Sequence, residues 1–320
     1  MPAEIRLRLD PWPPDYDAAV QFSEFEDHQA EIDVTVETPD WVEVEPEPAQ
    51  TFSTIYFVDG VRRVEARVIA EHPTQIIHGL FGSLAVGCAR VSSGRAALDR
   101  QGVERFLILG GGLCRTESFT IGQTPLSFQG VATASKSPDE VLGELQNAMR
   151  AREATLAQEL ALEDSCVFAD GPLTYFATSK HQVVGLIKSI YLPYLSATHF
   201  QLVGALRLGC RTPLFAITDT KYNRYSWFLR IGEGRRHEHP LSGVIRLEVR
   251  AAIGLDTARR MADFAAQFLP GCASTAVREA RAPQNLLPVG ALETDLRHRL
   301  GDSLLIHRAI EDRLFEGITL

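Results

Sequence analysis

"STIYFVDGVRR", residues 53–63, carries a run of apolar and β-branched side chains into Asp59 and then a glycine. "SCVFADGPLTY", residues 165–175, repeats the pattern at Asp170. Short runs of this kind favour strands, and Asp-Gly favours a turn at the strand's end. Each stretch therefore predicts a strand tipped with a carboxylate. Asp-Gly is also a common turn dipeptide, so either aspartate taken alone reads as a turn residue. The two together pose a question of chemistry: neighbouring strands would bring both carboxylates to one place.

Working outward, "STIYFVDG" and "RRVEARVIAEH" predict successive strands, and "IHGLFGSLAVGCARV" and "ERFLILGGGL" continue the series. The three glycines of the last stretch lack the lysine and serine of a phosphate-binding P-loop, so they read as a turn. Residues 137–164, "SPDEVLGELQNAMRAREATLAQELALED", predict a helix: Ser137 as cap, Pro138 in the first turn, and Asp139 and Glu140 against the positive end of the dipole. "HQVVGLIKSIYLPYL", "TPLFAITD", "YSWFLRIG" and "GVIRLEVRAAIG" predict further strands. Helices follow over "DTARRMADFAAQFLP", "VGALETDLRHRLGD" and "LIHRAIEDRLF". Strands first, then strands alternating with helices, point to an α/β fold in which a mixed sheet is covered by helices.

The chain has 320 residues and a net charge of −9. Its first 50 residues hold two arginines against 14 acidic residues, together with seven prolines. They predict a loosely structured acidic arm with one strand at "EIDVTVE", ahead of a mildly basic body from residue 51 to residue 320. No apolar run approaches the roughly 18 residues of a membrane span, and residues 1–14 have no apolar signal core. Five cysteines without paired or metal-ligand spacing read as buried thiols, so a cytoplasmic protein is expected.

Crowded carboxylates repel one another and raise each other's pKa unless a cation lies between them. Oxygen ligands of this kind suit Mg²⁺ or Mn²⁺, and a pair of such ions about 4 Å apart is a standard device for splitting phosphodiesters. A third carboxylate would complete the set. The helix offers Glu144, Glu153 and Glu159, and the pattern alone does not choose among them.

"YFVDGVRR", "MRAREATLAQEL" leading into "VFADGPL", then "VVGLIKS", "YSWFLRI" and "VIRLEV" stand in an order that resembles the NurA nuclease family. The resemblance runs from about residue 50 to the carboxyl end. It implies an RNase H-like core, a homodimer, and a Mn²⁺-dependent (or Mg²⁺-dependent) DNA nuclease, with two ions. It also implies work in DNA end processing and double-strand break repair beside HerA, a hexameric ATPase. Asp59, Glu153 and Asp170 match the family's metal ligands. Lys188, in "GLIKS", matches a position from which an ammonium offsets charge on a scissile phosphate; a strand-edge lysine is the plainer alternative. Arg246 and Glu248 fit an Arg-x-Glu strand and can also pair with each other. Where the family often has a histidine near its carboxyl end, this chain has Glu293, with His298 a turn further on, as candidates for a fourth position.

DNA contacts are expected in "KYNRYSWFLRIGEGRR", from Arg224, Arg230, Arg235 and Arg236, while its aromatic residues read rather as core. The acidic arm reads either as a solvated tail or as a segment that docks on a partner, with Trp12, Tyr16, Phe22 and Phe25 as anchors. Two other readings remain: a non-catalytic NurA-like scaffold that regulates a DNA-translocating ATPase, and an actin-like or sugar-kinase ATPase. Three carboxylates speak against the first, and the missing second phosphate-binding glycine signature against the other.

Overall fold

The computed structural model describes residues 6–9, 30–48, 51–72, 75–176, 181–188, 194–220, 222–234, 238–275, 277 and 282–316. The leader supplies β1 (Arg6–Leu9) and β2 (Glu31–Asp33). A meander follows in β3 (Thr54–His72), β4 (Gln75–Ser92) and β5 (Arg95–Leu109), then a hairpin of β6 (Glu117–Ile121) and β7 (Thr124–Ala132). Helix α1 (Pro138–Leu160) crosses to β8 (Ser165–Asp170), and β9 (Val183–Ile187) and α2 (Ala197–Ala205) come next. Then come β10 (Phe215–Thr218), β11 (Arg224–Arg230), β12 (Val244–Arg250), α3 (Leu255–Phe268), α4 (Leu287–Arg299) and α5 (Ser303–Glu316).

One mixed sheet carries the strands in the order β2-β10-β11-β12-β9-β8-β3-β4-β5-β7-β6, with β1 beside the second half of β3. β3, β4 and β5 are antiparallel. β8 runs parallel to β3 and β9 parallel to β8. A parallel neighbour needs a crossover, and α1 provides it between β7 and β8.

Alternate side chains of a strand face opposite ways, and here both faces are covered. Phe57 and Val61 of β3 and Phe168 of β8 join the core under α3 and α4, with Met261, Leu292 and Leu296. Val58 and Ala169, one residue on, pack under α1 with Ala154, Ala157 and Leu160. α1 begins at Pro138 with Asp139 and Glu140 in its first turn, but the Ser137 side chain makes no capping hydrogen bond.

Four expectations change here. The two strands predicted across Asp59 are one strand of 19 residues. Gly60 continues it, pairing with Val86, and is not among the glycines of positive φ, whereas Gly171 has φ +99. Only the second Asp-Gly therefore ends a strand. The predicted strand "EIDVTVE" is paired only over Glu31–Asp33, because the Asp33 carboxylate accepts bonds from the Thr35 amide and hydroxyl at 2.8 and 2.7 Å and turns the chain. Residues 30–48 lie against the body. The Glu37 carboxylate accepts both Arg211 Nη groups, at 2.9 and 2.8 Å, and Trp41 Nε1 donates to His199 O at 2.9 Å. Trp12, Tyr16, Phe22 and Phe25 lie outside the described residues. Of the thiols, Cys88, Cys166 and Cys210 are buried as expected, but Cys114 is exposed. No helix among the described residues is long and apolar enough to cross a membrane.

Candidate metal centre

Asp59 shares a face of the sheet with Phe57 and Val61, the face that α4 covers. Val58 of β3 pairs with Ala169 of β8, so Asp59 and Asp170 stand side by side one residue further on. α4 brings Glu293 to them within its buried stripe of Val289, Leu292, Glu293 and Leu296. Oxygens of the three carboxylates lie within 4.8 Å of one another. Asp59 is 4% exposed and Glu293 5%. One Asp59 oxygen accepts the Gly60 amide at 2.8 Å; the other, Oδ2, is buried with no hydrogen-bond partner. Lys188, just past β9, donates to Asp170 Oδ2 at 2.9 Å.

Glu153 reaches this place from the opposite face. It sits on α1, below the position a side chain at residue 60 would fill: a Cβ there would lie 2.6 Å from Glu153 Oε1. Arg150, one turn earlier, holds Glu153 Oε2 at 2.9 Å and donates from the same Nη1 to the Asp170 carbonyl at 2.7 Å. Gly60 and Gly171 thus serve different ends: the first admits Glu153, and the second takes a left-handed φ where a Cβ would press on the Arg150 guanidinium.

Burial is the largest influence on Asp59 and pushes its carboxyl well above the usual range. The charges of Asp170, Glu153 and Glu293 push the same way, and Lys188 opposes them. Three neighbouring carboxylates therefore act on Asp59. A buried oxygen without a donor, in a ring of carboxylate oxygens, fits a hard divalent cation.

No family model and no curated protein matches this chain. A solved structure does: the NurA nuclease from Sulfolobus solfataricus aligns over 87% of this chain and 88% of its own, with TM-score 0.51 and 11% identity. The fold is similar to that of NurA. At this identity the likeness is one of fold alone. A structure of NurA with manganese aligns over 41% of this chain and 22% of its own, at 16% identity, with a TM-score of 0.19 that is too low to argue from.

The NurA-like fold brings Asp59, Asp170 and Lys188 together, with Glu153 near them but outside the close trio. Glu293, expected only as a candidate fourth position, takes the third place. His298 is exposed on α4, away from the buried stripe that carries Glu293.

The expected DNA-contacting arginines need correction. Arg230 is 9% exposed and donates to the carbonyls of Leu206, Gly204, Pro240 and Ser242. Arg224 is 4% exposed and is held by Asp219, the Tyr222 carbonyl and Glu248. Both belong to β11, an interior strand covered on both faces, and they bind protein rather than face a groove. Arg235 and Arg236 lie outside the described residues. Trp227 and Phe228 are fully buried, as the core reading expected. Arg246 and Glu248 do pair, at 2.9 Å.

Proposed function

We propose that this protein is a metal-dependent deoxyribonuclease. The observation that carries the reading is the trio of buried Asp59 and Glu293 with half-buried Asp170, and Lys188 against it. Asp59, Asp170 and Glu293 would hold Mn²⁺ or Mg²⁺, with Glu153 approaching from the α1 side as a further carboxylate. Such a cation, when bound, supplies Lewis acidity and an activated water for phosphodiester hydrolysis. Lys188 is placed to meet a phosphate oxygen and offset its developing charge. Arg150 orients Glu153 and fixes the Asp170 backbone. The surrounding core excludes bulk water from Asp59.

We infer further that the sheet is an RNase H-like core, a reading supported by its three antiparallel strands followed by β8, reached through α1, and β9, both parallel to β3. By the resemblance of its motifs, the body from residue 51 is a NurA-like nuclease domain that acts as a homodimer in the cytoplasm, in DNA end processing and break repair. Its motor is a HerA-type ATPase, on which Trp12, Tyr16, Phe22 and Phe25 of the acidic leader dock.

The test is cleavage of labelled single- and double-stranded DNA by the purified protein with Mn²⁺, with Mg²⁺ and with chelator, alongside Asp170→Asn and Glu293→Gln. Cleavage should require the cation and fall to background in both variants, with unchanged circular dichroism. Calorimetric Mn²⁺ titration should show weakened binding in the same variants. Wild-type cleavage by Asp170→Asn, or by the chelated protein, refutes the reading.

A further inference from the structure

Further along β3 from Asp59, Arg63 stands on the same face of the sheet, since the strand alternates without interruption as far as Val64. Cross-strand pairing sets Arg63 in a row with Ser83 of β4 and Arg105 of β5. Both guanidinium groups reach the carboxyl end of α4. Arg63 Nη1 donates to Gly301 O at 2.9 Å and its Nη2 to Leu300 O at 3.3 Å. Arg105 Nη2 donates to the same Leu300 O at 3.1 Å. The Glu65 side chain, fully out of solvent, accepts Arg63 Nε and Nη2 at 2.9 and 3.0 Å. Burial lowers the pKa of the Arg105 guanidinium; Glu65 opposes that and Arg63 adds to it, so the three form one cluster.

A helix ends in carbonyls that have no partner within it and in the negative pole of its dipole, so two cations are well placed there. They also fix where α4 lies along the sheet. The helix passes over the Asp59–Gly87 pair, where a Cβ at residue 87 would lie 3.3 Å from Leu296 Cδ2. From Glu293 to Leu300 the helix rises about 10 Å. From Asp59 to Arg63 the strand advances about 13 Å. One strand thus carries a carboxylate of the trio and, a similar distance on, the anchor of the helix that brings another.

The anchor has something to resist. Asp59 and Asp170 are held by neighbouring strands of one sheet, whereas Glu293 rides on a helix laid over it. Their oxygens lie within 4.8 Å of one another, and without a cation their mutual repulsion falls on α4. We propose that Arg63 and Arg105 are positioning residues of the metal centre. Through the Leu300 and Gly301 carbonyls they hold α4, and with it Glu293, against that repulsion, so the third ligand is in place before a cation arrives. The role assigned to Glu293 rests on the metal reading of the trio.

The test combines calorimetric Mn²⁺ titration of the full-length protein with hydrogen exchange of the α4 amides in chelator. Arg105→Gln removes one anchor and leaves the Arg63–Glu65 pair intact. It should weaken Mn²⁺ binding about 10-fold or more, the scale for groups that orient metal ligands. It should also speed exchange across Leu287–Arg299. Arg105→Lys keeps a cation and a donor and should recover most of both. In a Glu293→Gln background, Arg105→Gln should change Mn²⁺ affinity by no more than about twofold, because its effect travels through Glu293. The α4 amides of that double variant should regain protection, since the repulsion is gone. Arg63→Lys keeps the charge against Glu65 but loses the fork to both carbonyls, and it carries the same expectations should Arg105→Gln not fold. Unchanged α4 exchange in Arg105→Gln, or an equal loss of Mn²⁺ affinity with and without the Glu293 carboxylate, overturns the proposal. Wild-type protein that takes no Mn²⁺, with α4 loosened by Arg105→Gln and tightened again by Glu293→Gln, keeps the anchor and removes the metal reading. Equal Mn²⁺ affinity in wild type and Arg105→Gln does the reverse.

Discussion

Gly60→Ala tests the construction of the site without touching a carboxylate. The backbone at residue 60 is ordinary strand, so an alanine meets no φ penalty and the whole effect is one of space. The added Cβ would lie 2.6 Å from Glu153 Oε1, 2.9 Å from Met149 Cγ and 3.0 Å from Val86 Cγ2. Three neighbours on two elements must give way, and Met149 and Val86 are in close-packed core. Overpacking of this kind costs about 1–3 kcal/mol, and the stiffer unfolded chain returns about 0.4–1 kcal/mol, leaving a net loss of about 1–2 kcal/mol. Scanning calorimetry should show this as a fall in Tm of about 2–4 °C per kcal/mol. Adding Glu153→Ala removes the nearest obstacle, so the cost of Gly60→Ala should shrink in that background, a coupling read by a double-mutant cycle. A wild-type Tm for Gly60→Ala, or strict additivity with Glu153→Ala, would mean that α1 does not approach β3 this closely.

Two further predictions concern the frame. Burial pushes the Glu37 carboxyl up, but its bonds to Arg211 and to the Leu214 amide, with the Arg211 and Arg259 charges, outweigh burial and hold it below the ordinary 4.5. A lowered folded pKa contributes stability above the unfolded value that is lost as pH falls through the folded one, so urea midpoints should drop below about pH 4.5. Glu37→Gln should lose about 3 kcal/mol at neutral pH and flatten that acid limb; an unchanged limb assigns it to other carboxylates. Arg230→Met leaves the buried carbonyl of Leu206 and the part-buried carbonyls of Gly204, Pro240 and Ser242 without their donor, and should destabilise by at least the roughly 1–3 kcal/mol of one unsatisfied buried group. A soluble Arg230→Met protein with native Tm and weakened DNA binding would return that residue to the substrate groove.

Much of this architecture is legible in the chain because the central strands are long apolar runs and α1 carries a clear apolar stripe with a proline start. Asp59 reads as a strand tip because Asp-Gly signals a turn wherever it stands, whereas the glycine answers to the close approach of Glu153, Met149 and Val86. Arg224 and Arg230 looked available because alternation implies one wet face, which an interior strand such as β11 lacks. Glu293 carried a readable signal: a carboxylate in the stripe of Val289, Leu292 and Leu296, where an acidic residue is costly without a purpose. α2 escaped notice, since of its nine residues only Val203 is buried; its one cue is Ser196, whose side chain accepts the His199 amide. The trio itself joins residues from three distant segments, and no spacing rule connects them.

Because Asp59 lies inside a continuous strand, its position obeys a counting rule that Asp170, at the end of β8, escapes. Inserting or deleting one residue between Thr54 and Asp59 would exchange the faces of Asp59 and Gly60, driving a carboxylate against Glu153 and leaving the trio with a glycine. A two-residue change restores the face but slides Asp59 about 7 Å along the strand, further than the 4.8 Å that spans the trio. Length variation in this half of the chain is therefore best borne by hairpin tips such as the one between Ser92 and Arg95. The stretch from residue 54 to residue 59 can change its letters, but not its number.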